Sequence, residues 1–292
     1  MCERTQIGIL GLGLIGGSLA RAYAQAGWKV VGADTDPDTM AAARVDTISG
    51  VLDEHTAPGC DLIILATYPE ACLRWLTTHA PLLGEHPIVI DTAGIKSSLC
   101  AGANKLAHTW GFSFCGAHPM AGTEQSGFAF ARANLFVGAP LVLTPEPSMD
   151  DMVKLKLLDR IRTLVQPAGF GSISITTPEE HDRLIAYTSQ LAHVVSNAYV
   201  KSPTARSHHG FSAGSYRDLT RVAELNAPMW TELMMANRDA LSYEIKQIID
   251  QLSRYHVALQ TYDSELLLDL LSEGDQRKRE LDDSLDDPER TS

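Results

Sequence analysis

Gln6-Ile7-Gly8-Ile9-Leu10-Gly11-Leu12-Gly13-Leu14-Ile15-Gly16 decides the reading of this chain. A short apolar run, Gln6–Leu10, ends on glycines spaced GxGxxG, and Ser18–Gln25 beyond them reads as a helix. In a strand–turn–helix, Gly11 permits the tight turn, Gly13 lets backbone approach a pyrophosphate, and Gly16 allows close helix–strand packing. The helix start at Leu14 and Ile15 then offers unpaired N–H groups to phosphates. A second apolar run, Lys29–Ala33, is followed by Asp34, 18 residues past Gly16. A carboxylate there accepts hydrogen bonds from the ribose hydroxyls of NAD and repels the extra phosphate of NADP. Asp36 lies close enough to compete for the same register.

The pattern repeats outward from that stretch. Runs at Asp61–Thr67, Pro87–Asp91, Phe112–Cys115, Pro140–Thr144 and Ser172–Thr176 are short and rich in Ile, Val and Leu, as central strands of a parallel sheet are. Helical stretches such as Glu70–His79 and Asp151–Val165 lie between them, so the expectation is an α/β, Rossmann-type doubly wound sheet domain over residues 1–177. Ligands of such sheets bind beyond the carboxyl ends of the strands. Thr67 and the segment Thr92–Lys96 fall there, whereas Pro69 and Glu70 suit a helix start. After Thr177-Pro178 the texture becomes helical, with helices expected over Glu180–Val200, Tyr216–Ala223, Met229–Leu252 and Tyr255–Leu271. Leu241, Ile245, Ile248, Ile249 and Leu252 recur at three- and four-residue steps. An all-α domain over 178–271 that carries such stripes is expected to dimerise. Residues 272–292, with eight acids against four bases, read as an acidic, disordered tail.

The whole chain has 292 residues and a net charge of −12, with 45% hydrophobic and 21% charged residues. That composition is globular, and the negative surface disfavours nucleic acid and anionic lipid as partners. Five cysteines without a CxxC pair argue against a disulfide framework and for a reducing, cytoplasmic location. No apolar run is long enough to span a membrane. The apolar Ile7–Ala20 stretch is read as nucleotide loop rather than signal peptide, since its glycines fall at motif spacing.

Gly116-Ala117-His118-Pro119-Met120-Ala121-Gly122-Thr123-Glu124 follows a strand, and its glycines and proline suit a backbone shaped to present His118. A histidine near neutral pKa accepts a hydroxyl proton; the alternative is a loop histidine packed under its own turn. Gln190, His193 and Asn197 share one helix face. Arg217, Asp218 and Arg221 share another, where Asp218 could brace Arg221 as a carboxylate clamp, although spacing alone favours ordinary surface pairing. His208-His209 has no third ligand at metal spacing, so no metal site is expected.

In this order the motifs resemble the prephenate/arogenate dehydrogenase family over about residues 5–270. The match is carried by Gly11–Gly16 with Asp34, His118–Glu124, Ser189-Gln190-Leu191-Ala192-His193, Tyr216–Ala223, and Pro228-Met229-Trp230 followed by Asn237. The resemblance implies NAD-dependent oxidative decarboxylation of prephenate or arogenate in tyrosine biosynthesis. It makes His118 the proton acceptor and Arg221 the carboxylate ligand, with Glu124, His193 and Asp218 around it. Many members carry a serine where this chain has Gly94. Ser97, Thr92 or a water takes over, or the contact is absent, which leaves room for an amino-substituted prephenate analogue. The usual proline at Ala192 is also missing. A β-hydroxyacid-type dehydrogenase would need a catalytic lysine in the helical part, where only Lys201 and Lys246 stand; a non-catalytic NAD-binding protein would make His118 and Arg221 dispensable.

Overall fold

The computed structural model describes residues 5–122, 125–208 and 210–285. Its strands and helices run β1 (Gln6–Leu10), α1 (Leu14–Gln25), β2 (Lys29–Ala33), α2 (Pro37–Asp46), β3 (Gly50–Val51), β4 (Leu62–Leu65), α3 (Pro69–Leu83), β5 (Ile88–Asp91), α4 (Ser97–Trp110), β6 (Ser113–Pro119), β7 (Pro140–Thr144), α5 (Asp151–Val165) and β8 (Ser172–Ile175). The helical part follows as α6 (Pro178–Ile185), α7 (Ala192–Tyr199), α8 (Gly214–Thr220), α9 (Ala227–Ala236), α10 (Arg238–Gln260) and α11 (Ser264–Leu285).

The strands form one sheet in the order β3-β2-β1-β4-β5-β6-β7-β8. All neighbours are parallel except β6 and β7. Strand order reverses around β1, so the crevice of a doubly wound sheet opens above the carboxyl ends of β1 and β4. Both faces are covered, as the continuous apolar runs imply. Ile7, Ile9, Leu62 and Ile64 pack in one core, and Val31, Ile63, Leu65 and Val89 in the other. The expected strands are all present; the two-residue β3 is too short to leave a periodic signal. Cys60, Cys72, Cys100 and Cys115 are buried free thiols. Burial pushes the Cys60 thiol up to about 11 and those of Cys72 and Cys100 up to about 12, which keeps them protonated.

The change after residue 177 is one of secondary structure; by packing, one compact unit extends to Asn237 and a second begins at Arg238. Within the first unit, the Asp182 carboxylate on α6 accepts the Lys96 and Ser97 amides at the start of α4 (2.7 and 2.8 Å), which ties α6 to the sheet. The expected helix over Glu180–Val200 contains a π segment, Ala186–Leu191. The one expected over Met229–Leu252 breaks at Asn237, whose buried amide donates to the Asp182 carbonyl (2.8 Å) and to Gln190 Oε1 (2.9 Å). The helix break at 261–263 places Tyr262 at φ +54.

The acidic stretch from 272 is corrected as far as it is described: it is helical through Leu285 as part of α11. Its charges fall at i,i+4, pairing Arg277 with Glu273, Arg279 with Asp275 and Lys278 with Asp282. Such pairs favour helix by a few tenths of a kcal/mol each, enough to tip a continuing helix. Residues 286–292 lie outside the described part. No described helix is long and apolar enough to cross a membrane.

Candidate active site

At the end of β1 the chain turns through Gly11 at φ +85, where a Cβ would lie 2.5 Å from the Ala66 carbonyl oxygen. A Cβ on Gly16 would lie 1.9 Å from the Gly11 carbonyl oxygen. Both glycines are therefore demanded by the chain's own packing. Gly13 differs: a Cβ there meets nothing within 4 Å. The open space over Gly13 suits a cofactor approaching the backbone, and α1 begins there with no side-chain cap and no acid in its first turn. The N–H groups of Leu14 and Ile15 are left for an anion. Thr67, after β4, stands against Gly11.

Asp34 and Asp36 separate cleanly. Asp36 caps α2, accepting from the Asp38 and Thr39 amides (3.3 and 3.1 Å) and the Thr39 hydroxyl (2.6 Å). Asp34 Oδ2 accepts the Leu12 amide of the glycine loop at 2.7 Å, and Oδ1 accepts the Asp36 amide at 2.9 Å. Asp34, partly exposed at the end of β2, is thus the carboxylate that borders the loop.

His118 sits near the carboxyl end of β6 on a backbone held from below. Asp91, the last residue of β5, accepts the Ala117 amide at 3.1 Å and the Ala93 amide at 2.8 Å. The Lys96 ammonium pairs with Asp91 and donates to the Ala117 carbonyl at 2.7 Å. Both ends of Ala117 are therefore fixed by an ion pair that is fully buried. Gly116 makes room for it, since a Cβ there would lie 2.2 Å from Thr144 Oγ1 and 3.3 Å from Lys96 Cδ.

The His118 ring meets a second histidine: its Nδ1 lies 2.9 Å from His181 Nε2, and His181 Nδ1 lies 2.8 Å from Asp182 Oδ1. Asp182 also accepts the Ser97 hydroxyl at 2.5 Å. Burial, then the Lys96 charge and His181, bring His118 down to about 3, against the pull of Asp182. Burial alone would raise the Asp182 carboxyl, but its hydrogen bonds from His181, Ser97 and the Lys96 amide hold it below the ordinary carboxylate range. His118 is thus a neutral imidazole whose Nε2 has no hydrogen-bond partner among the described residues.

The helical side chains gather at the same edge. His193 Nδ1 donates to the Val222 carbonyl at 3.0 Å, and its ring packs on Trp230 with centroids 3.8 Å apart. Burial lowers its pKa, and Arg221 stands near enough for its charge to oppose protonation as well. Gln190 donates to the Leu233 carbonyl (3.1 Å) and Asn197 to that of Ala223 (3.2 Å). The polar face at 190, 193 and 197 therefore fastens the 222–237 segment in place. Leu233, one turn from Trp230 on α9, packs toward Gly94, where a Cβ would lie 3.7 Å from Leu233 Cδ2.

One expectation is corrected. Asp218 is exposed and forms no ion pair with Arg221 within 4 Å among the described residues. The Ser97 hydroxyl donates to Asp182. Glu124 and His209 lie outside the described residues. His208 bonds to Ser212 and Tyr216, and no cluster of metal-ligating side chains occurs among the described residues. Sequence reasoning missed His181, Asp182 and Asp91. The available signal was a His-Asp pair one turn into a helix and an acid closing a strand, both too common to weigh without their partners.

A glycine loop open over its second glycine, a carboxylate beside it and a neutral imidazole at the same sheet edge define a dinucleotide-binding dehydrogenase. Residues 19–168 match the family model for "Prephenate dehydrogenase, nucleotide-binding domain", and residues 177–273 that for "Prephenate dehydrogenase, dimerization domain". The chain belongs to the prephenate dehydrogenase family. It is 29% identical over 280 residues to the Bacillus subtilis prephenate dehydrogenase, covering 89% of this chain and 71% of that one. The crystal structure of Synechocystis arogenate dehydrogenase matches with a TM-score of 0.78 and 29% identity over 94% of this chain and all (100%) of that one. The Aquifex aeolicus prephenate dehydrogenase in complex with hydroxyphenyl propionate and NAD+ shares the fold, with a TM-score of 0.79 and 23% identity over 95% and 98% of the two chains.

Proposed function

We propose that this chain catalyses the NAD-dependent oxidative decarboxylation of prephenate or arogenate in tyrosine biosynthesis. The observation that carries the reading is His118, held at the carboxyl edge of the sheet that bears the glycine loop, with its Nε2 unpartnered among the described residues. Gly11, Gly13, Gly16, the amides of Leu14 and Ile15, Asp34 and Thr67 would hold the cofactor, and Asp34 favours NAD over NADP by charge. Bound NAD supplies the hydride acceptor. His118 accepts the proton of the ring hydroxyl as the carbinol carbon is oxidised. As carbon dioxide departs and the ring becomes aromatic, the same proton returns to the phenolic oxygen. The summed reaction releases carbon dioxide and no proton, so His118 ends each turnover neutral.

Arg221 takes a substrate carboxylate, with His193 beside it and Asp218 at the rim; the family resemblance adds Glu124 to this set, and Gly94 leaves a gap near the hydroxyl. Because aromatisation drives the reaction, the protein's part is orientation and proton handling. Against a β-hydroxyacid-type reaction, Lys201 is exposed and Lys246 pairs with Asp250 at 2.7 Å. The apolar stripe of α10, including exposed Ile249 and Leu252, supports a homodimer formed through the 178–271 region. The unpaired cysteines support a cytoplasmic location. The test is NADH formation by the purified chain with each substrate, and with NADP in place of NAD. Turnover with prephenate or arogenate and a strong preference for NAD are expected; no turnover with either refutes the reading.

A further inference from the structure

The Asp182 carboxylate fixes one hydrogen of the histidine pair. An ionised carboxylate only accepts, so His181 Nδ1 carries the hydrogen in the 2.8 Å contact. The 2.9 Å contact holds one hydrogen between His181 Nε2 and His118 Nδ1, and with that hydrogen on His118, Nδ1 donates to His181. That leaves His118 Nε2 bare and facing away from the pair. We propose that His181 and Asp182 are positioning residues for His118, holding its Nδ1–H inward so that Nε2 is the acceptor, and receiving the positive charge when that acceptor is used. The inference rests on the oxidative decarboxylation proposed above.

The step balances. The substrate O–H bond breaks and an Nε2–H bond forms on His118. The His118 Nδ1–H bond breaks and an Nε2–H bond forms on His181. The cation then lies on His181, against the Asp182 carboxylate, instead of on His118, where Lys96 repels it. Both moves reverse when the proton returns to the phenolic oxygen. The groups facing His118 are Lys96 from the β5–α4 turn and His181 and Asp182 from α6; Asp91 neutralises Lys96 in part. His181 and Asp182 are 2% and 5% exposed, so water does not compete for these contacts. The logic is that of a carboxylate that fixes a histidine tautomer in a hydrolase triad, extended by one more ring.

The test uses the full chain and three variants. Ring-nitrogen NMR of histidine-labelled free protein, with the His118 signals identified by their loss in His118→Asn, should show Nδ1 protonated and Nε2 bare at neutral pH. In Asp182→Asn the side-chain oxygen can still accept from His181 and Lys96 N–H, so the tautomer is kept, but the negative charge that faces the cation on His181 is gone. The variant's kcat should fall by about 10²–10⁴ while KM changes little. Asp182 also caps α4, so His181→Phe, which leaves that cap intact, guards against a folding defect; its kcat should fall at least about tenfold. A protonated His118 Nε2 in the wild type, a kcat for folded Asp182→Asn near the wild-type value, or a kcat for His181→Phe near the wild-type value overturns the inference. The expected tautomers in a wild-type chain that turns over neither substrate refute the assigned reaction and leave the orientation standing.

Discussion

Replacing Lys96 with Met tests the foundation under His118. The ammonium and the Asp91 carboxylate are both 0% exposed, and the ammonium also bonds the Ala117 carbonyl. Methionine keeps most of the aliphatic volume, so the cavity contribution is small. What changes is charge: Asp91 keeps the Ala93 and Ala117 amides but loses its cation. Removing one partner of a buried pair costs about 3–5 kcal/mol, because the other is left uncompensated. That is a large share of the 5–15 kcal/mol (order of magnitude) by which domains are stable, so the variant should fold but unfold at much lower denaturant. Urea unfolding of the full chain at pH 7, followed by circular dichroism, measures the loss by linear extrapolation. The double variant Lys96→Met with Asp91→Asn should recover part of it. The His118 pKa should also rise in Lys96→Met, since a repelling charge is gone while the burial remains. A stability loss under about 1 kcal/mol would refute the argument, since a buried, uncompensated carboxylate cannot be that cheap.

Acid should destabilise the protein partly through His118: its folded pKa, about 3, lies below the unfolded value near 6.5, so the unfolded chain binds the extra proton. Stability should therefore fall as the pH drops from about 6.5 toward 3, and His118→Asn should lose less than the wild type between pH 7 and 5; equal losses would sink this. The same variant should depress kcat by about 10²–10⁴ if folded. Arg221→Ala should raise KM far more than it lowers kcat, measured by steady-state NADH formation. Gly94→Ser should fold with stability within about 0.5 kcal/mol of the wild type, because its Cβ meets only Leu233 at an ordinary 3.7 Å, and should lower KM by supplying a hydroxyl. Thermal unfolding and steady-state kinetics check both parts.

The sheet was legible because its information is local. A run such as Leu62–Leu65, buried on both faces, must be apolar throughout, and the turn at Gly11 admits no side chain, so both leave marks in consecutive residues. The positions of His118 and Asp34 were legible for the same reason, each lying beside a strand end. The helix boundaries were not: Asn237 ends α9 through bonds to residues 55 and 47 positions away, a force that no window of sequence contains. The charged stretch at 272 misled because composition ignores spacing, and the i,i+4 order of its charges sustains a helix.

What the chain decided by itself is where the strands and the glycine turns form, since these answer to neighbouring residues. What only the tertiary structure decided is the chemical state of the imidazole at the site. Asp91, Lys96, Ala117, His118, His181 and Asp182 come from a strand end, a turn, a second strand and a helix. Their hydrogen bonds and mutual charges depend on distances of about 3 Å, which exist only after those elements pack.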